Sequence, residues 1–362
     1  MAFHSVQDEM VKKVEQGVSD SIAAALSDKD DLTPAEIEAL TPDAFELVPY
    51  SEENAERTGY SNYSYWRSTL RMFMKNKVAV AMLIIMCALL LFTFIQPYLP
   101  NQFDPYEPQY ITQELVDTDP AFADAIVGMP VKNQRPNKTF WFGTNSIGQD
   151  LWSNIWQGTR NSLIIGFSTA LIEAVVGIAV GLLWGYVRWL DPILTEIYNV
   201  LNNIPSTIVL ILVSYVLSPS MGTVILSLSI TGWIGMARFI RTQTLIIRDR
   251  DSNLASRCLG TPTGRVVVKN LLPQMVSVIM LRMALAIPGG IGSEAFLAYI
   301  GLGLPLSTPS LGNLAQNGRK LMSTPALRYQ LLIPSAFLAV ITICFYLIGN
   351  AFADASDPRN HV

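Results

Sequence analysis

Charge-free apolar runs separated by polar loops set out most of this chain. A bilayer core needs about 20 apolar helical residues, so each run of that length predicts one span. Residues 78–103 contain no charge and supply the first span, and 161–187 supply the second, interrupted only by Glu173. Ile197 to Ala237 is uncharged, too long for one helix and broken at Pro219-Ser220-Met221-Gly222, so spans over 193–218 and 222–240 are predicted. A fifth span covers 269–300 and carries Arg282 and Glu294; a sixth covers 329–353. The pattern predicts an all-α polytopic membrane protein with six transmembrane helices.

The segments between the runs have their own character. The first 60 residues hold 14 acidic and 4 basic side chains, net −10, which leaves 15 acidic and 21 basic, net +6, for the rest. Residues 1–59 read as an acidic extension, partly disordered or else a docking or regulatory segment. Val6, Met10, Val14, Val18, Ile22 and Leu26 recur every four residues, and Thr33-Pro34-Ala35-Glu36 has the form of a capping box. The extension lacks the basic start and apolar core of a cleaved signal peptide. In 60–77, aromatics precede Arg67, Arg71, Lys75 and Lys77, which predicts a membrane-surface helix in contact with lipid.

Basic residues orient the chain. The approach to the first span has four basic residues and no acid. The loop from 238 to 269 has seven basic residues against Asp249 and Asp251. Both are expected in the cytoplasm, with both termini. The loops over 104–160 and 301–328 then lie outside, and the C-terminal segment 354–362 inside. The cytoplasmic loop holds a polar island, 248–265, in which Leu254, Ala255 and Leu259 fall at helical spacing and Gly260 ends the helix. Ala255 and Ser256 give that helix a low-relief side able to lie in a groove of another protein.

Composition agrees with a membrane protein: half of the residues are hydrophobic, 15% are charged, and mean hydropathy is +0.33. Cys87, Cys258 and Cys344 are isolated thiols with neither disulfide nor zinc spacing. His4 and His361 are the only histidines, which excludes a His-based triad or HExxH metal site, and no GxxxxGK[ST] phosphate loop occurs. No catalytic residue, metal site or cofactor is predicted, and any nucleotide chemistry belongs to a partner.

Four runs carry a family resemblance. Leu254-Ala255-Ser256 with Gly260 and Leu272-Pro273 resembles the EAA loop of ABC importer permeases, with Leu254 where Glu is usual and Asn270 where His is common. Phe142-Gly143-Thr144-Asn145-Ser146-Ile147-Gly148-Gln149-Asp150, followed by Gly158-Thr159-Arg160-Asn161-Ser162-Leu163, is similar to the FGTDxxGRD…G(A/T)RxSL signature of oligopeptide and dipeptide permeases. Asn145 and Gln149 replace its Asp and Arg. Glu294 to Pro305 and Pro309-Ser310-Leu311-Gly312-Asn313 resemble EAxLSFLGLG…PSWG, and Asp354 to Arg359 resembles a closing ALDPR.

The resemblance implies the type I ABC importer arrangement, with a cytoplasmic coupling helix over 252–263, in a bacterial cell membrane. It implies a second homologous permease subunit, two cytoplasmic ATPase subunits that bind ATP and Mg, an extracellular substrate-binding protein and a peptide substrate; no nucleic acid is involved. Leu254, Ala255, Ser256 and Gly260 are expected to contact an ATPase. Glu173 and Arg282 both fall near the bilayer midplane, where ionisable groups are costly, and either pair or line a cavity. Glu294, Gly301 and Gly303 are candidates for an outer gate. Other classes stay open: a gradient-driven secondary transporter, an ABC importer of nickel or another small solute, and an intramembrane enzyme.

Overall fold

A computed structural model describes residues 65–305 and 307–356. The readings of the acidic extension and of Asp357-Pro358-Arg359 lie outside the described residues. Among these, five helices are long and apolar enough to cross a membrane, and a sixth span is a pair of shorter helices bent by 73°.

Helix α1 (Tyr65–Lys75) stops at Asn76, which restarts the chain as α2 (Lys77–Ile95): its side chain accepts from the Ala79 N–H at 3.2 Å. Phe73 of α1 packs near Phe352 at the far end of the chain, ring centres 6.5 Å apart. Beyond α2, a loop holding α3 (Gln113–Thr118) builds a small core from Ile111, Phe122, Val131 and Phe140.

Helix α4 (Leu151–Tyr186) begins ten residues before the charge-free run at 161. Asp150 caps it, accepting from the Ser153 N–H at 2.9 Å. Its first turns are polar and still buried, as at Ser153, Asn154 and Thr159, and Arg160, which ends the charge-free run, donates to Gln96 at 3.4 Å. A charge-free criterion misses a helix whose polar residues are buried inside the protein.

Helices α5 (Leu190–Asn202) and α6 (Ser206–Val216) are the two halves of the bent span predicted over 193–218. Pro205 supplies no N–H to continue the ladder, and the chain turns at 203–205. Helix α7 (Met221–Arg248) runs eight residues past the predicted end at 240, because Arg241 and Arg248 find partners. Arg241 meets Asp191 at 2.7 Å, and Arg248 donates to the Gly185 carbonyl at 2.8 Å.

After α7 come the short α8 (Asp251–Cys258) and α9 (Thr263–Val266), then a π-helical turn, Val267–Leu271, leading into α10 (Leu272–Tyr299). Pro273 withholds a donor at the start of α10, and the preceding turn widens to the wider π pairing. Helix α11 (Leu311–Lys320) lies within the loop predicted over 301–328, and α12 (Tyr329–Ser356) completes the described chain.

Helix α4 is central. Gly177, Gly181 and Gly185 form a stripe along it, each with α7 atoms where a Cβ would stand: Met236, then Ala237 and Ile240, then Thr244. Small residues every four positions let two helices approach closely. Farther along α4, Gly166 crosses Gly290 of α10. Leu163 and Ala170 pack there with Met86, Ile287, Ile291 and Ile341 in a core joining α2, α4, α10 and α12.

Candidate functional site

Helix α8 projects from the junction of α7 and α10 and is tied to both. On one side Asn253, almost fully buried, donates to the Ile247 carbonyl at 2.9 Å, and Arg257 donates to the Arg248 carbonyl at 2.9 Å and reaches Asp249 at 3.3 Å. Arg248 beside it holds the Asp249 carboxyl below the usual carboxylate range. On the α10 side, Asn270 donates to the Ser256 hydroxyl at 3.1 Å and Arg250 to Gln274 at 3.1 Å. The opposite side presents Leu254, Ala255, Cys258 and Leu259, with Leu259 86% exposed.

Ser256, expected on the contact face, is half-buried: it accepts from Asn270 and donates to the Ser252 carbonyl at 2.9 Å. Gly260 has φ +78°, with Thr261 N–H to Ser256 O at 3.1 Å and Gly260 N–H to Arg257 O at 3.0 Å. That is a Schellman stop, for which glycine is suited because the left-handed backbone strains a residue with a Cβ.

Glu173 and Arg282 line one cavity of about 770 Å³ bounded by α4, the α5–α6 bend, α7 and α10. They are brought to one space but not into contact: among the described residues neither makes a hydrogen bond or an ion pair. The Glu173 carboxylate rests directly against Gly232, in space a Cβ would occupy. The Arg282 guanidinium lies over the Phe239 ring, 5.7 Å from its centre, near Gly235.

At the α11 end of the bundle, Glu294 has no exposed surface. It accepts from the Ser310 hydroxyl at 2.7 Å, the Ser162 hydroxyl at 3.3 Å and the Gly312 backbone N–H in the first turn of α11. These donors and the positive end of α11 offset part of the cost of burying a carboxylate. Asn161 donates to the Pro309 carbonyl at 2.7 Å, and Asn313 to the Leu304 carbonyl at 2.9 Å. Two sequence signatures, at 158–163 and 294–313, therefore meet around one carboxyl. Gly301 (φ +81°) ends α10, while Gly303 lies against the Ala298 backbone, where a Cβ would come within 2.7 Å.

Two other clusters escaped the sequence reading. Trp184 donates to Thr195 at 3.1 Å, Arg241 lies over the Trp184 ring at 5.0 Å, and Arg238 lies over the Tyr198 ring at 5.0 Å. With the Arg241–Asp191 pair these contacts fasten α5 to α4 and α7. Their signal was basic residues one turn beyond an apolar run with aromatics on the neighbouring segment. In the loop before α4, Asn145 and Gln149 bond three times: Asn145 Nδ2 to Gln149 Oε1 and the Gln149 N–H to Asn145 Oδ1, both 2.9 Å, and the Asn145 N–H to the Gln149 carbonyl at 3.0 Å. Next to them, burial pushes the Asp150 carboxyl up from its ordinary value, opposed by its bonds to Ser153.

Residues 177–362 match the family model described as the binding-protein-dependent transport system inner membrane component. The chain belongs to this family. Residues 64–136 of the permease match the N-terminal TM domain of oligopeptide transport permease C. It is 37% identical to the oligopeptide transport system permease protein AmiD of Streptococcus pneumoniae over 89% of this chain and 99% of that one. It is 32% identical to the oligopeptide permease OppC and 31% to the dipeptide permease DppC, both of Bacillus subtilis, over 87% and 91% of this chain and 96% and 97% of theirs. Among solved structures, an inward-facing MetNI methionine ABC transporter chain aligns with 55% of the permease and 96% of its own length, at 19% identity and a TM-score of 0.45. The matches make this a multi-pass transport permease and do not favour the gradient-driven or nickel alternatives. The matched region 177–362 contains α8, most of the cavity wall and Glu294.

Proposed function

We propose that this permease is one membrane subunit of an ATP-driven importer of short peptides, coupled to its ATPase through α8. The observation that carries the reading is α8 itself: a helix tied on one side to α7 and α10, with an apolar face turned outward. The near full-length likeness to oligopeptide permeases supplies the substrate class. In this reading α8 and both termini face the cytoplasm, a second permease completes the pathway, and two ATPases carry ATP and Mg. A binding protein delivers peptide at the α11 end, where the Glu294 knot, with Gly301 and Gly303, anchors the outer gate.

Coupling follows from the ties. A push on Leu254, Ala255 and Leu259 passes through Arg257 and Asn253 into α7, and through Ser256–Asn270 and Arg250–Gln274 into α10. Both helices are cavity walls, so tilting α8 changes the cavity's opening as rigid elements shift. Gly260 keeps α8 short and its end fixed.

The test uses the assembled transporter in liposomes. Leu259→Asp places a charge on the docking face, and Gly260→Pro breaks the helix stop. Each should lower ATP-driven peptide uptake by about tenfold or more, as expected for loss of a buried interface anchor, while ATP hydrolysis becomes independent of peptide-loaded binding protein. Full coupling in both variants would overturn the assignment of α8.

A further inference from the structure

The cavity has a chemical asymmetry that a water-filled passage does not require. Of the residues that line it, only Glu173 and Arg282 are charged; the others are apolar or small and polar. An unpaired charge at membrane depth is costly, and the cheapest remedy is for two opposite charges to meet. These two share a space and do not meet. Glu173 is seated on Gly232, Arg282 over Phe239, and each is held to its own part of the α7 surface.

We propose that Glu173 and Arg282 form a two-point site for the opposite ends of a short peptide, the carboxylate taking the α-ammonium and the guanidinium the terminal carboxylate. This rests on the peptide-importer reading above and names what the permease itself recognises. A ligand carrying both charges satisfies both side chains at once, and a guanidinium can meet a carboxylate through two parallel hydrogen bonds. The cavity volume, about 770 Å³, lies within the range of small-molecule sites. Its uncharged remainder places no charge demand on peptide side chains, so the site reads what all unmodified linear peptides share, their two free ends. Gly232 is a positioning residue: any side chain there displaces the carboxylate.

The experiment compares trialanine, its N-acetyl form and its C-terminal amide in the complete transporter, reconstituted with binding protein outside and ATP at the ATPases. Uptake is divided by the occupancy of the binding protein measured for each compound. Wild type should prefer free trialanine. Arg282→Gln should lower trialanine uptake by about tenfold, the loss expected for one charge-assisted bond, and leave the amide unchanged. Glu173→Gln should do the same with the N-acetyl form as the unaffected compound. Gly232→Ala, which alters no charge, should behave like Glu173→Gln. Co-purification of the ATPases reports assembly. Equal losses for free and capped peptides, or no loss for any, would overturn the two-point site. If wild type hydrolyses ATP and imports none of the three, the peptide-importer reading fails and takes this inference with it.

Discussion

Asn145 and Gln149 occupy positions where the resembling signature has Asp and Arg, and their side chains bond to each other. The two departures are therefore one change: a neutral amide pair stands where a carboxylate and a guanidinium would form an ion pair. Both residues are almost fully buried, so either charged residue alone would lie in a low dielectric without its partner. Asn145→Asp keeps the Ile147 and Gln149 N–H donors but sets a carboxylate oxygen against Gln149 Oε1, and should destabilise the loop by about 1–3 kcal/mol. Gln149→Arg should cost a similar amount, and the double variant should recover most of the loss. Thermal unfolding of the purified permease complex measures all three; a double variant no better than the worse single would mean that the two positions are independent. Glu173 and Arg282 invite the opposite comparison. Exchanging their charges should not rescue the single variants, since the structure shows no bond between them.

At the scale of elements, the glycine stripe of α4 sets how closely α7 approaches, and with it the wall of the cavity. A Cβ on Gly181 would lie 2.5 Å from the Ala237 carbonyl oxygen and 2.6 Å from Ile240 Cβ, so a helix must move. Gly181→Ala is expected to cost about 1–3 kcal/mol from overpacking. Gly292→Ala on α10, with no atom within 4 Å of the added Cβ, should be neutral or gain about 0.5–1 kcal/mol from helix propensity. Yield and unfolding temperature of the assembled complex separate the two; equal effects would show that the stripe does not govern packing. Such stripes also mark where sequence reading succeeds and where it stops. Hydropathy located all the long helices, because lipid-facing residues such as Leu91, Phe167 and Ile343 must be apolar. It set the start of α4 too late, since Arg160 ends the charge-free run and its partner, Gln96, lies 64 residues away at 3.4 Å. The apolar run predicted over 193–218 does not show the 73° break that the chain makes at Pro205. The spacing places Ser256 on the docking side, but Asn270, 14 residues on, holds its hydroxyl.

For the whole molecule, the proposal fixes which side of the membrane each end of the bundle faces, and the cysteines make that side measurable. Cys344 is buried, and Cys87 is exposed on α2, a helix long and apolar enough to cross a membrane. Cys258 is exposed on α8, in a polar loop among Arg250, Arg257 and Arg265. A membrane-impermeant maleimide should therefore modify Cys258 alone among the three, and only from the side that α8 faces. In the proposed reading, the basic residues of α1, α7 and α9 put that side in the cytoplasm. Inside-out vesicles should label and intact cells should not, with Cys258→Ser removing the signal. Cys258 also lies on the face with Leu254, Ala255 and Leu259, so bound ATPase should slow labelling in inside-out vesicles, and stripping the ATPase should restore it. Labelling from the exterior would place α8 where no ATP is available and end the coupling proposal. Labelling from the cytoplasm at a rate indifferent to the ATPase would keep the orientation but move the docking face elsewhere.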